Sequence, residues 1–233
     1  MKNFIVIPTY NEKENIVPLI KEIFSLLPDI NIMVVDDNSP DGTAAAVEDL
    51  MAEYANLSIL KRPTKNGLGR AYIDGFKKLL VRDNIENIIT MDSDFSHNPK
   101  YLPQMLEEIK NYDLVIGSRY IKGGGITNWE SWRRFLSKGG NFYVRMLLGR
   151  KIYDWSSGFN CIRMSALKKI NLDKIKFYGY AFLSCLKYFL MKTGARIKEI
   201  PIIFEERRGG KSKMSGNIIR EGLMAPWKLL FTK

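Results

Sequence analysis

Histidine occurs once in the chain, at His97, and cysteine twice, at Cys161 and Cys185. A protein zinc centre takes three or four His, Cys or carboxylate ligands at short spacings, and no second histidine or nearby cysteine stands beside His97. That spacing argues against zinc there, and His97 reads as a packing or supporting residue. The cysteines sit among apolar neighbours without metal-ligand spacing, which reads as buried, reduced thiols in an intracellular protein. A long hydrophobic run is also missing. The most apolar region, Phe177 to Met191, is broken by Lys187 and falls short of the ~20 residues that span a bilayer. The opening "MKNFIVIPTYNE" meets polar residues too early for a signal peptide. If the protein works at a membrane, it is expected to do so from the surface.

What is present is an ordinary globular composition, with 45% hydrophobic and 26% charged residues in 233. Its net charge of +11 is unevenly spread: residues 1–100 carry 11 Lys and Arg against 15 Asp and Glu, whereas residues 101–233 carry 25 against 10. The second half should favour anions such as phosphate, nucleic acid or an anionic lipid surface. Nucleic acid is the least supported of these, because the basic residues do not alternate with aromatics in a recognisable module.

The first half alternates strand and helix patterns. "FIVIP" and "INIMVVDD" are short β-rich runs, as are "LSIL", "NIITMD" and "DLVIGSRY". Between them lie helical periodicities, the first with Ile16, Leu19, Ile20, Ile23, Leu26 and Leu27 on one face, and with Asn11 and Glu14 spaced as a capping box. A second helix is expected from about Thr43 to Tyr54. Such alternation predicts an α/β fold with a mainly parallel sheet covered by helices. After Tyr120 the pattern loosens into a glycine-rich loop, a helix through "FLSKGGNFYVRMLLG", the segment "DWSSGF", a helix from Tyr180 to Met191, a strand "IKEIPIIFEE" and the basic loop "RRGGKSKMSG". We expect one domain over residues 1–214 and an amphipathic, basic C-terminal extension over residues 215–233, ending in "NIIREGLMAPWKLLFTK", kinked at Gly222 and Pro226 and facing a membrane, a partner or the domain itself.

In open α/β sheets ligands bind beyond the carboxyl ends of the strands, and there the polar clusters fall: "PTYNE", "DDNSPDG", "DSDFSH" and "GSRY". Asp92 and Asp94 repel each other unless a cation relieves them, and Mg²⁺ is held by one or two carboxylates together with substrate phosphates. The competing reading is a helix cap and a solvated acid. Asp36 and Asp37 can accept hydrogen bonds from a base or ribose, or serve their turn. "KNGLGR" matches neither the Walker nor the dinucleotide-binding glycine pattern. Arg119, Arg133 and Arg134 are suited to gripping phosphate oxygens, or are surface charges, as are the arginines and lysines of "RRGGKSK".

In order, "PTYNEKEN", "VVDDNSPDGT", "GLGRAY", "MDSDFSHNP", "GSRY", "WRRFLS", "SGF" and "FEERRGGKSKM" resemble the dolichol- or polyprenyl-phosphate mannosyltransferases of the inverting GT-A glycosyltransferases. The resemblance runs from Pro8 to about Met214. It implies a Rossmann-like GT-A fold and transfer of a hexose, usually mannose from GDP-mannose, to the phosphate of a polyprenol such as dolichyl phosphate at the cytoplasmic membrane face. A divalent cation, Mg²⁺ or Mn²⁺, is implied as cofactor, and a membrane-anchoring partner subunit is one way to reach the lipid. Carried over by position, nucleotide-sugar contacts fall on Pro8, Tyr10, Glu12, Val35, Asp37, Asp92, Ser93 and Asp94, with Arg207 and Lys213 on a closing loop. Metal ligation falls on Asp92, Asp94 and Ser96. The acceptor phosphate falls on Arg119, Arg133 and Ser137, so that Asp92, Asp94, Arg119 and Arg133 are the implied catalytic set.

The chain departs from the family at Asn160, where a basic residue is frequent, and at Leu183 and Cys185, which replace polar and acidic positions of "G-Y-x-F-Q-x-E". A phosphate acceptor tolerates the missing acid, since it arrives ionised and needs no base. A same-fold enzyme with a hydroxyl acceptor needs a carboxylate, for which Asp154 is the candidate. A non-catalytic nucleotide- or membrane-binding scaffold is the reading from another class.

Overall fold

The computed structural model describes residues 2–177, 179–206 and 216–231. Arg207 and Lys213 lie outside them. The expected alternation is present: β1 (Lys2–Thr9), α1 (Lys13–Leu26), β2 (Asn31–Asp36), α2 (Thr43–Met51), β3 (Leu57–Lys61), α3 (Leu68–Leu80), β4 (Ile85–Thr90), α4 (Leu102–Glu108) and β5 (Leu114–Ser118). The second half adds β6 (Gly125–Ile126), α5 (Ser131–Leu148), β7 (Asn160–Arg163), α6 (Met164–Leu167), α7 (Ala181–Lys192), β8 (Ile197–Pro201), β9 (Ile203–Phe204) and α8 (Gly216–Leu230).

Seven strands form the main sheet in the order β3-β2-β1-β4-β7-β5-β8. All neighbours are parallel except β7, which runs antiparallel between β4 and β5. Strands covered on both faces should be apolar at successive positions, and β1 shows why. Phe4 and Val6 pack into the layer built with α3, α6 and α7, while Ile5 and Ile7 pack with α1 and α2 on the other face. Burying each such side chain stabilises the fold by about 1.5–3 kcal/mol. The carboxyl ends of β1, β2, β4 and β5 therefore emerge on one edge, each followed by a polar loop.

Three local expectations are corrected. The Asn11/Glu14 capping box does not form: Asn11 is left-handed, with φ of 57°, and the helix starts after Glu12 without a side-chain cap of its own. Its free amides are instead capped from the neighbouring loop, Lys13 N donating to Asp41 Oδ2 at 3.1 Å and Glu12 N to Thr43 Oγ1 at 3.0 Å. A tertiary contact has displaced the local cap. The second helix ends at Met51 rather than near Tyr54, whose ring leaves to stack on Phe24, centroids 4.4 Å apart. "IKEIPIIFEE" is two strands, because Ile202 turns out of the main sheet, its N–H on Ser118 O and its carbonyl on Gly125 N, to start the small β6–β9 pair. In "KNGLGR", a Cβ on Gly69 would lie 2.6 Å from Phe182 Cβ, so glycine is what lets α3 approach α7.

The C-terminal segment is one helix through Gly222 and Pro226. Ala225 and Leu229 are buried against the domain, and Tyr143 Oη on α5 donates to Leu223 O. Both cysteines are buried and free, and burial pushes both thiols up from their ordinary range. Among the described residues, no helix is long and apolar enough to cross a membrane.

Candidate active site

The β4 carboxyl end turns sharply. Phe95 adopts a left-handed φ of 66°, which folds the chain back so that Asp94 Oδ1 accepts from Ser96 N at 3.1 Å and from Ser96 Oγ at 2.6 Å. Ser96 thus orients Asp94, and its hydroxyl proton is spent there. Asp92 N donates to His97 Nδ1 at 2.9 Å, which makes Nδ1 the acceptor and leaves the proton on Nε2, 3.8 Å from Asp92 Oδ2. Burial holds the His97 pKa below its ordinary value against the pull of Asp92 and Asp94, in keeping with a neutral ring. The ring stacks on Phe159 at 5.0 Å and meets Phe204 edge-on at 5.7 Å. Asp92 keeps about a third of its side chain exposed, 32%, whereas Asp94 is buried. Among the described residues, no three His, Cys or acidic side chains cluster as a self-sufficient metal site. Two carboxylates are what Mg²⁺ or Mn²⁺ takes from protein when a diphosphate supplies further oxygens, so the donor set fits that chemistry.

The ends of β1 and β2 form the other side of the edge. Asp36 is structural: it accepts from Thr9 Oγ1 at 2.9 Å, Ser39 Oγ at 2.6 Å and Ser39 N at 2.9 Å, tying the two strand ends together. Asp37 instead meets Arg62, which also bonds Asp74 at 2.8 Å through Nε. Burial raises the Asp37 pKa, opposed by Arg62. Arg62 was not singled out from the sequence; its one signal there is a charged residue directly after a β-rich run, "SILKR". Tyr10 is half-buried with the Lys65 ammonium 3.7 Å over its ring, a cation–π contact. Glu12 is buried and takes Asn15 Nδ2 at 2.9 Å, and Val35 is fully buried in β2 beside Pro8 of β1. Ser93 is buried between the two aspartates.

The third group centres on Arg119, just past β5. Its Nε and Nη2 grip Asp154 Oδ2 and Oδ1 at 2.8 and 2.7 Å, its backbone N–H meets Oδ2 at 3.0 Å, and Nη2 also reaches Ser156 Oγ at 2.7 Å. Asp154 is fully buried. Burial alone would raise its pKa, but the Arg119 charge and hydrogen bonds, with Lys187 behind them, outweigh it and hold the carboxyl below its usual range. Asp154 is therefore an ionised, enclosed counter-charge, unsuited to taking a proton from an acceptor. Nη1 of Arg119 makes no hydrogen bond among the described residues.

Helix α5 brings the remaining residues. Arg133, Ser137 and Asn141 recur every four residues along its inner side. Asn141 Nδ2 donates to Ser156 Oγ at 2.8 Å, Tyr120 Oη donates to Ser137 Oγ at 2.7 Å, and Arg133 pairs with Glu206 at 3.1 Å over the Trp129 ring. Trp129 in turn meets Phe204 at 5.5 Å, and Phe204 also lies 5.2 Å from the Arg119 guanidinium. An aromatic bridge thus connects the Asp92 loop, Arg119 and Arg133, three groups drawn from opposite halves of the sequence. The bridge was missed in the sequence because β9, which carries Phe204, is only two residues long. Arg134 lies outside the cluster, donating to Trp129 O at 2.9 Å.

This chain is 40% identical to the undecaprenyl-phosphate mannosyltransferase of Micrococcus luteus, over 98% of this chain and 97% of that protein. It is 41% identical to the polyprenol monophosphomannose synthase of Mycolicibacterium smegmatis, over 97% of this chain and 86% of the relative. The fold superposes on glucosyl-3-phosphoglycerate synthase from Mycobacterium tuberculosis, solved in complex with Mn²⁺, UDP-glucose and phosphoglyceric acid, with a TM-score of 0.69 and 16% identity over 100% of this chain and 80% of that one. That likeness concerns the fold, which is GT-A. Residues 4–171 match the profile of glycosyl transferase family 2, and with its near full-length relatives the chain belongs to that family.

Proposed function

We propose that this protein transfers mannose from GDP-mannose to the phosphate of a polyprenol, with inversion at the anomeric carbon. The observation that carries this reading is the Arg119–Asp154 pair. The carboxylate offered as base for a hydroxyl acceptor is sealed and ionised against a guanidinium, so the acceptor that suits the site is one that brings its own negative oxygen. A phosphate monoester, with a second pKa of ~6, does so at neutral pH. Its oxygen forms the new bond to the anomeric carbon, the bond from that carbon to the nucleoside diphosphate breaks, and no proton moves. Nη1 of Arg119, Arg133 and Ser137 hold the acceptor phosphate in line. Asp92 and Asp94 would hold Mg²⁺ or Mn²⁺, which when bound neutralises charge on the leaving diphosphate. Pro8, Tyr10, Glu12, Val35, Ser93 and Asp37 with its partner Arg62 bound the nucleoside end, and Arg207 and Lys213 are assigned to the same diphosphate. The names of the two relatives support the polyprenyl acceptor and the sugar.

Reaching such an acceptor calls for a surface on the membrane, and α5 supports one. This helix is amphipathic in the unusual sense, with its polar stripe turned inward and Trp132, Phe135, Phe142 and Met146 exposed by 60%, 82%, 63% and 65%. Helix α8 adds exposed Trp227, with exposed Phe231 just past its end, and Lys138, Arg150 and Lys228 are exposed as well, the mixture that lies in an anionic interface. We assign the protein to the cytoplasmic face as a peripheral enzyme. Polyprenyl phosphate and the corresponding free polyprenol, offered with a panel of labelled nucleotide sugars, test the reading. Labelled lipid should form with the phosphate and GDP-mannose; equal labelling of the free alcohol would overturn it.

A further inference from the structure

Lys187 lies midway along α7 and is 1% exposed. Its ammonium points at backbone: it donates to Ser157 O at 2.6 Å and to Trp155 O at 3.1 Å. One turn earlier, Ser184 Oγ donates to the same Trp155 carbonyl at 3.0 Å. A methionine of similar volume would fill this space without the penalty of burying a charge, so the lysine is explained by what its charge holds. That object is the Asp154–Ser157 loop. From its other side Asp154 clamps Arg119, Ser156 Oγ takes Arg119 Nη2, and Ser157 Oγ bonds Gly117 O at 2.6 Å. The same loop continues to Gly158, where a Cβ would lie 3.0 Å from His97 and 3.6 Å from Asp92.

We propose that Lys187 is a positioning residue for the acceptor-phosphate pocket: by fastening the Asp154–Ser157 loop from beneath, it sets the aim of Arg119 without touching substrate. This rests on the reading of Arg119 as a phosphate ligand. It also explains how α7 serves the site although Leu183 and Cys185 face the core there. The charged groups around Lys187 are Asp154 on the loop, Arg119 at the end of β5 and Glu199 on β8. Burial lowers the lysine's pKa to about 7, against Asp154 and Glu199 and with Arg119. Losing that proton weakens both charge-assisted bonds to the loop.

The test is Lys187→Met, with steady-state kinetics on a short polyprenyl phosphate and separate nucleotide-sugar binding. The acceptor KM should rise about tenfold in the folded variant as Arg119 loses its aim, while nucleotide-sugar affinity stays within about twofold. Wild-type acceptor KM should rise between about pH 6.5 and 8.5 as the lysine deprotonates, and that of K187M should be flat. Unchanged acceptor KM in K187M, or an equal rise in both constants, overturns the proposal. If K187M does not fold, the wild-type profile decides: a rise in acceptor KM supports the proposal, and a flat profile overturns it. Wild-type protein that does not turn over polyprenyl phosphate at all overturns the acceptor reading and this proposal with it, whereas turnover with an indifferent Lys187 overturns this proposal alone.

Discussion

Arg119 and Asp154, 35 residues apart in sequence, form a bidentate pair in which the carboxylate is fully buried and also accepts the arginine's own backbone N–H. Removing one partner of a buried pair strands the other's charge, at a cost of about 3–5 kcal/mol. Asp154→Asn should therefore lower the melting temperature clearly and raise the acceptor KM, with nucleotide-sugar binding preserved. A variant as stable as wild type but slowed only in kcat would identify Asp154 as a base instead. The pair also sets an acid limit. The Asp154 pKa is depressed in the fold from its ordinary 3.8, so its contribution is present above that value and is lost as pH falls toward the folded pKa. Acid unfolding of D154N should accordingly show a smaller loss of stability below about pH 4 than wild type.

Asp94 is held by Ser96 in the tight turn after β4. Asp94→Ala should abolish turnover while leaving the circular dichroism spectrum unchanged. A variant retaining more than about a tenth of the wild-type kcat, a loss below ~1.4 kcal/mol in the barrier, would remove Asp94 from the metal-binding role. Titration with Mn²⁺ in the presence of the nucleoside diphosphate should show the same loss without turnover.

Arg133 stands on the inner stripe of α5, partly exposed and paired with Glu206 at the rim. Rim pairs of this kind contribute about 0–1 kcal/mol to stability, so Arg133→Ala should fold normally. Its acceptor KM should rise while nucleotide-sugar affinity changes little. Equal losses for both substrates would mean that the acceptor phosphate has no separate pocket.

The exposed aromatics predict membrane binding by the folded chain. Wild-type protein should sediment with anionic vesicles, less so at high salt, because screening weakens the basic contribution. Phe135→Asp with Phe142→Asp should release it with no change in melting temperature, since both side chains are largely solvent-exposed. Protein that ignores vesicles yet glycosylates a short, soluble polyprenyl phosphate would point to a membrane-anchoring partner.

The strands and helices of the first half were legible in the sequence because the signals are local. Doubly covered strands such as "FIVIP" must be apolar at every position, and the loops after them must be polar because they face the ligand edge. That much also located Asp92, Asp94 and Asp37 at one edge, and the motif order identified the family. What only the tertiary structure decided depends on groups distant in sequence. Asn11 and Glu14 had the spacing of a capping box, yet Asp41 and Thr43 cap α1, since an amide satisfied from across the fold no longer needs a local partner. Asp154 had the chemistry of a base, yet burial against Arg119 makes it a fixed counter-charge. The exposed stripe of α5 reads in sequence like any apolar helix face, because periodicity reports that a face exists and only the packing of the chain decides whether protein or something else covers it.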